Sequence, residues 1–228
     1  MFPQLTPVIK NLLIINIIFY IGSQLVPAAY DYLAVYYPDS PYFKIWQVIT
    51  HMFMHDKNNI THIFFNMFSL VMFGPMIEQV LGSKRFLNFY LVSGIGAWFL
   101  YTAVNGIQLY NATGSFAPLH GVSGNELIAM ANTGNNEALT YLIPMLGASG
   151  AIYGVLLAFA YLFPNIPLQF LFIPVPVKAK YMIGGFILIE IYMSLSRPGD
   201  SVAHLAHVGG ALFGYLLLKL WKIRKGIY

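Results

Sequence analysis

Gly147-Ala148-Ser149-Gly150 opens one apolar segment of this chain, and Ala203-His204-Leu205-Ala206-His207-Val208-Gly209-Gly210 opens another. Each places a polar, reactive side chain among glycines at the end of a run that is otherwise fit for lipid. An ionisable residue in that setting is costly and marks a functional site by default. A serine and a histidine are also the smallest pair that supports nucleophilic hydrolysis, because the imidazole takes the hydroxyl proton.

The rest of the chain fixes the setting. Of 228 residues, 58% are hydrophobic and only 9% charged, which leaves too few polar side chains to coat a soluble core. The composition specifies an all-α polytopic membrane protein with one domain over residues 1–228 and no separate soluble module. Six spans are expected at about 8–28, 61–81, 86–106, 149–163, 180–195 and 203–221, most near the roughly 20 residues a bilayer core requires. Met1 to Pro7 carries no basic leader or cleavage motif, so the first span is expected to be retained. Cysteine is absent, which excludes thiolate nucleophiles, disulfides and thiolate metal sites.

Charge sets the orientation. With the N-terminus inside, Lys10, Lys84, Arg85, Lys178, Lys180, Lys219, Lys222, Arg224 and Lys225 lie on the inner side, against Lys44, Lys57 and Arg197 outside. The positive-inside rule then places both termini in the cytoplasm. The basic tail after Trp221 reads as a topology anchor against lipid. A nucleic-acid partner is not expected, since no aromatics interleave a solvated basic groove.

The fourth span is short. Residues 149–163 make roughly 22 Å of helix at 1.5 Å per residue, against a hydrocarbon core of about 30 Å. With Pro164 at the inner surface, Ser149 starts below the outer one. Irregular backbone at that depth, 142–147, is tolerated only against protein or a water-filled cavity. Between the spans, Tyr30 to Ile60 reads as an outer loop rich in Tyr and Pro, lying partly in the headgroup layer. Asn105 to Leu139 reads as a hydrophilic outer loop, and Pro164-Asn165-Ile166-Pro167 and Pro174-Val175-Pro176 as breaks on the inner side.

Candidate site residues gather around the serine. Gly150 and Gly154 form a small-residue stripe on the fourth span, and Gly210 and Gly214 one on the sixth, which lets two backbones approach closely. Such approach would bring Ser149 towards His207. His207 is preferred over His204 as base for its adjacent glycines. Tyr153 shares a face with Ser149 and suits stacking on the imidazole; interfacial packing is the plainer alternative. His62 and Asn66, four apart, project to one face near the outer end of the second span and suit an oxyanion hole, where side-chain and backbone donors meet the charge of a tetrahedral intermediate. Their plain alternative is helix-gluing polar packing.

His51, His55, His62, His204 and His207 invite a metal reading, yet there is no His-Glu-x-x-His and no acidic neighbour at His51 and His55. No metal and no cofactor are expected. Glu78 is expected to pair with Lys84 or Arg85 or to satisfy backbone donors. Glu190, inside the fifth span, is expected to line the cavity or bind a tyrosine; a third triad member is conceivable there but has no sequence support. His120 is expected to be solvated without a partner.

Taken together, His62-x-x-x-Asn66, Gly147-Ala148-Ser149-Gly150 with Tyr153, and His207-x-x-Gly210-x-x-x-Gly214 resemble the rhomboid family of intramembrane serine proteases. The resemblance runs from about His51 through Leu218. It implies a six-helix bundle with a Ser–His dyad and no catalytic acid, with Ser149 as nucleophile and His207 as base. It further implies His62, Asn66 and the Ser149 backbone N–H as oxyanion donors. The substrates it implies are single-pass transmembrane proteins, cut at small residues near the outer face where the helix unwinds easily. Residues around Met193 to Val202 would gate substrate entry. A Trp-Arg pair common in the family's first outer loop is missing here. The compact form points to a prokaryotic cytoplasmic membrane, and a catalytically inactive relative that binds membrane proteins is the alternative reading.

Overall fold

The computed structural model describes residues 4–169, 175–196 and 201–226, with the side chains of 201–203 excepted. In chain order the elements are α1 Pro7–Leu25, α2 Ala28–Leu33, α3 Gln47–Thr50, a 3₁₀ turn His51–Phe53, α4 Ile60–Leu81, α5 Ser83–Thr113, α6 Gly124–Asn132, α7 Asn136–Leu142 and α8 Ser149–Leu162. Strands β1 Pro167–Leu168 and β2 Val177–Lys178 follow, then α9 Ala179–Ser196 and α10 Ser201–Leu220. Helices α1, α4, α5 and α9 are long and apolar enough to cross a membrane; α8 and residues 204–220 of α10 form shorter apolar helices.

Helix α8 runs through the middle, with α4, α5, α9 and α10 packed around it. Most of its length is buried, from Gly150 through Leu162. Glycine makes this possible: a Cβ on Gly210 would overlap the Gly150 carbonyl, and one on Gly214 would lie 3.1 Å from the Gly154 Cα. The two glycine stripes therefore face each other, backbone on backbone, which is the packing that small residues permit in lipid.

Local signals explain the ends of the long helices. The Asn59 side chain accepts from the Thr61 N–H at 3.1 Å and starts α4. Gly82, at φ +77°, ends it and turns the chain straight into α5. Glu78 takes neither Lys84 nor Arg85. Its carboxylate accepts from the N–H groups of Val8 and Ile9, each at 3.2 Å, from Ser83 Oγ at 2.7 Å, and from the Thr6 hydroxyl. It thus fills the orphan donors at the start of α1, where the helix dipole also favours an anion.

Several expectations are corrected. Helix α5 does not stop near Gly106 but runs to Thr113, where Gly114 at φ +78° caps it. The reason is protein cover: Leu109 is buried with Tyr37, Leu127, Ala138 and Tyr141, so the helix outruns the apolar segment. Consequently 105–139 is not a plain loop; it contains the end of α5, all of α6 and the start of α7. Ser123 and Glu126 cap α6 reciprocally, in a Ser-x-x-Glu box. Finally, His120 is partnered: its Nδ1 lies 2.6 Å from Asp39 Oδ1, and that hydrogen bond raises the imidazole pKa above its ordinary value.

The segment between α1 and α4 is not an amorphous interfacial loop either. It holds two short helices and the 3₁₀ turn, and it dips into the bundle. Met52 is fully buried, against Gly94 of α5, where any side chain would collide with its thioether. Between α8 and α9, β1 and β2 pair antiparallel, a small ladder where only a break was expected in an otherwise helical chain.

Candidate active site

Ser149 is the first residue of α8. Gly147, two residues before, sits at φ +123°, a conformation that L side chains avoid. A Cβ there would also press to 3.0 Å from His62 Nε2 and lie 3.6 Å from Ser149 Oγ. Glycine is needed for both reasons. The strand-like stretch before it is tied to the segment between α1 and α4: Met145 and Val35 exchange two backbone hydrogen bonds of 2.8 and 3.0 Å, and the Gly147 N–H donates to the His51 carbonyl at 2.9 Å. The irregular backbone ahead of α8 is therefore satisfied by protein.

The close approach of α8 and α10 brings His207 Nε2 to 2.8 Å from Ser149 Oγ. Tyr153, one turn along α8, lies flat on the His207 ring, with centroids 4.4 Å apart and planes inclined by 6°. The Tyr153 hydroxyl donates to Glu190 of α9. The other carboxylate oxygen of Glu190 is 2.5 Å from His204 Nδ1 and 3.1 Å from His207 Nδ1. Sequence reasoning offered Glu190 a tyrosine but did not join it to both histidines. Its signal was the cost of a carboxylate in an apolar segment, which demands partners without naming them.

On the facing side, the Asp56 N–H points to His62 Nδ1 at 3.4 Å. That leaves the His62 proton on Nε2, the nitrogen beside Gly147 and Ser149. Asn66 follows one turn later on α4, and its Nδ2 is buried without a hydrogen-bond partner among the described residues. Unpaired buried donors are rare and call for an explanation. The Ala148 carbonyl accepts the first bond of α8, from the Ile152 N–H at 3.0 Å, so the Ser149 N–H is among the donors the helix leaves open. Chemically, the arrangement offers a nucleophile on a base, a ring that fixes the base, and several donors without acceptors.

Glu190, His204 and His207 have ligand atoms within 4.8 Å of one another, the set best suited to hold a metal ion among the described residues. These atoms are already engaged with one another. Within the stretch expected to gate entry, residues 197–200 lie outside the described residues.

The Rhomboid domain family model matches residues 42–222. The chain is 29% identical over 180 residues to Rhomboid protein 1, mitochondrial, of Saccharomyces cerevisiae, covering 79% of this chain and 42% of that protein. It is 28% identical over 182 residues to Rhomboid protease AarA of Providencia stuartii, covering 75% and 54%. A shorter match, 31% over 71 residues, covers 31% of this chain and 36% of Rhomboid protease GlpG of Haemophilus influenzae. The chain thus spans 42% and 54% of the first two relatives. The mitochondrial relatives, which include one from Arabidopsis thaliana, conflict with the expected prokaryotic cytoplasmic membrane; a compact form does not distinguish the two settings.

Proposed function

This chain belongs to the rhomboid family, and we propose that it is an intramembrane serine endopeptidase acting on single-pass transmembrane proteins. It is a multi-pass integral membrane protein. In this reading α1, α4, α5, α8, α9 and α10 are the six spans, and α8 is the short one that begins below the outer surface. The observation that carries the proposal is the 2.8 Å approach of Ser149 Oγ to His207 Nε2, between two apolar helices.

With a proton on Nδ1, His207 presents a lone pair at Nε2 and accepts the Ser149 proton as Oγ attacks the scissile carbonyl. The imidazolium then gives that proton to the leaving amine, and the acyl group stays on Ser149 until water repeats the cycle. His62 Nε2–H, Asn66 Nδ2–H and the Ser149 N–H receive the oxyanion. The unpartnered Asn66 amide supports its part in this, since a buried donor kept free gains its acceptor only as the intermediate forms. Tyr153, stacked on His207, limits rotation of the base.

The experiment is cleavage of a single-pass transmembrane substrate by purified protein in detergent, with fluorophosphonate labelling in parallel. The wild type should cleave and label; Ser149→Ala and His207→Ala should do neither, because a dyad acts as a unit. Labelling that persists in Ser149→Ala would sink the assignment of the nucleophile. Absence of both reactions in the wild type would favour the inactive, protein-binding reading.

A further inference from the structure

We infer that Glu190 is a positioning residue for His207, a carboxylate that orients the base of the Ser149–His207 dyad without taking its proton; this rests on the protease reading. The resemblance to the family implies no catalytic acid, and it assigns no residue to this orienting role.

Glu190 is the one carboxylate in α9 and is 9% exposed, while its neighbours Leu188, Ile189 and Tyr192 are 58–67% exposed on the lipid-facing side. A charge turned inward from such a helix needs several partners. It has three, from two other helices: the Tyr153 hydroxyl on one oxygen, and His204 Nδ1 and His207 Nδ1 on the other. One of these partners is the base itself, and another lies against it. Tyr153 covers the His207 ring, and Glu190 stands at the ring nitrogen opposite the one that faces Ser149.

That position has a chemical consequence. The base works only in the tautomer with its proton on Nδ1, and a carboxylate beside Nδ1 favours that tautomer and steadies the imidazolium that follows. The Glu190 oxygen is 3.1 Å from Nδ1 but out of line with the N–H, and Nδ1 has no better-aligned acceptor among the described residues. Catalytic hydrogen bonds in unliganded sites are often misaligned and tighten when charge develops. Throughout the cycle Nδ1 keeps its proton and Glu190 stays ionised; only the Ser149 proton moves, to Nε2 and then to the leaving amine. His204, at 2.5 Å from the same oxygen, anchors the carboxylate from the preceding turn of α10.

The test uses the full chain in detergent and two readouts. The first is the rate of fluorophosphonate labelling at Ser149, beside kcat and KM for a transmembrane substrate. The second is the ¹⁵N signature of the His207 imidazole, assigned with His207→Ala. Glu190→Gln should lower the labelling rate and kcat by roughly 10²–10⁴ with KM little changed, as loss of the orienting carboxylate does elsewhere. The Nδ1–H signal of His207 should give way to a mixture of tautomers. Glu190→Asp, which keeps the charge, should recover part of both, and it serves if Glu190→Gln lowers the thermal midpoint enough to unfold the protein. Wild-type labelling and an unchanged Nδ1–H signal in Glu190→Gln would overturn the inference. A wild type that never labels would overturn the protease reading instead, and the ¹⁵N signal would still decide whether Glu190 sets the tautomer.

Discussion

Gly210→Ala tests how the proposed site is assembled. A methyl at Gly210 would lie 2.5 Å from the Gly150 carbonyl carbon and 3.0 Å from the Gly150 Cα, where carbon atoms ordinarily rest about 3.5–4.0 Å apart. Both contacts are with backbone, so no flexible side chain can yield. Helices α8 and α10 must part by about 1 Å to relieve the overlap. Ser149 is next to Gly150, and His207 is one turn before Gly210, so the opening falls on the Oγ to Nε2 distance of 2.8 Å. At about 3.8 Å there is no hydrogen bond, and a misplacement of that size costs roughly 10²-fold in rate. The assay is Ser149 labelling by fluorophosphonate together with the thermal midpoint. Gly184→Ala and Gly185→Ala are the controls, because a Cβ at either meets nothing within 4 Å. They should keep full reactivity and gain about 0.5–1 kcal/mol from helix propensity. A folded Gly210→Ala protein that labels at the wild-type rate would refute the argument that glycine contact sets the reactive distance.

Asn66→Ala should slow cleavage roughly 10²–10³-fold. It should barely alter the thermal midpoint, because Nδ2 has no hydrogen bond to lose; an unchanged rate would remove Asn66 from the oxyanion hole. Glu78→Ala strips the acceptor from four donors at the α1 and α5 starts, and should destabilise by on the order of 2 kcal/mol in denaturation while active molecules turn over normally. Burial holds the imidazoles of His51 and His55, in the segment between α1 and α4, down to a pKa of about 4. The unfolded chain takes up those protons near 6.5, so between about 6.5 and 4 it binds more protons than the folded one. Stability should be constant above that window from this source and fall as pH drops through it; a thermal midpoint flat from pH 7 to 4 would contradict the burial.

The sequence carried the long helices because each is a continuous apolar run, and it carried the facing glycine stripes because the four-residue spacing puts both on one side of a helix. Where side chains pack against protein instead of lipid, hydropathy misleads. The last turns of α5 hold Asn105, Gln108 and Asn111, which read as loop, yet Leu109 and its buried neighbours keep them helical. Ser123-x-x-Glu126 was a legible start for α6 that composition obscured. The partners of Glu190 come from 37 residues upstream and from 14 and 17 (207 − 190) residues downstream, and no periodicity connects such positions. Only the packing of α8, α9 and α10 does.

The segment between α1 and α4 shows how the proposed site can be held without the missing Trp-Arg pair. Three contacts from this segment fix the mouth of the site: Val35 to Met145, the His51 carbonyl to the Gly147 N–H, and the Asp56 N–H to His62 Nδ1. The first two hold the irregular backbone that delivers Ser149; the third sets which His62 nitrogen carries its proton. None uses a tryptophan or an arginine. Trp46 instead packs at a tilt against Tyr32, with ring centroids 4.9 Å apart, and donates to the Tyr32 carbonyl at 3.1 Å, stiffening the segment from within. Fully buried Met52 pins it to α5 through Gly94. The segment is thus held by several deeply buried apolar side chains, Val35, Met52 and Met54 among them, and by backbone hydrogen bonds, so its hold on Gly147 and His62 needs no Trp-Arg pair.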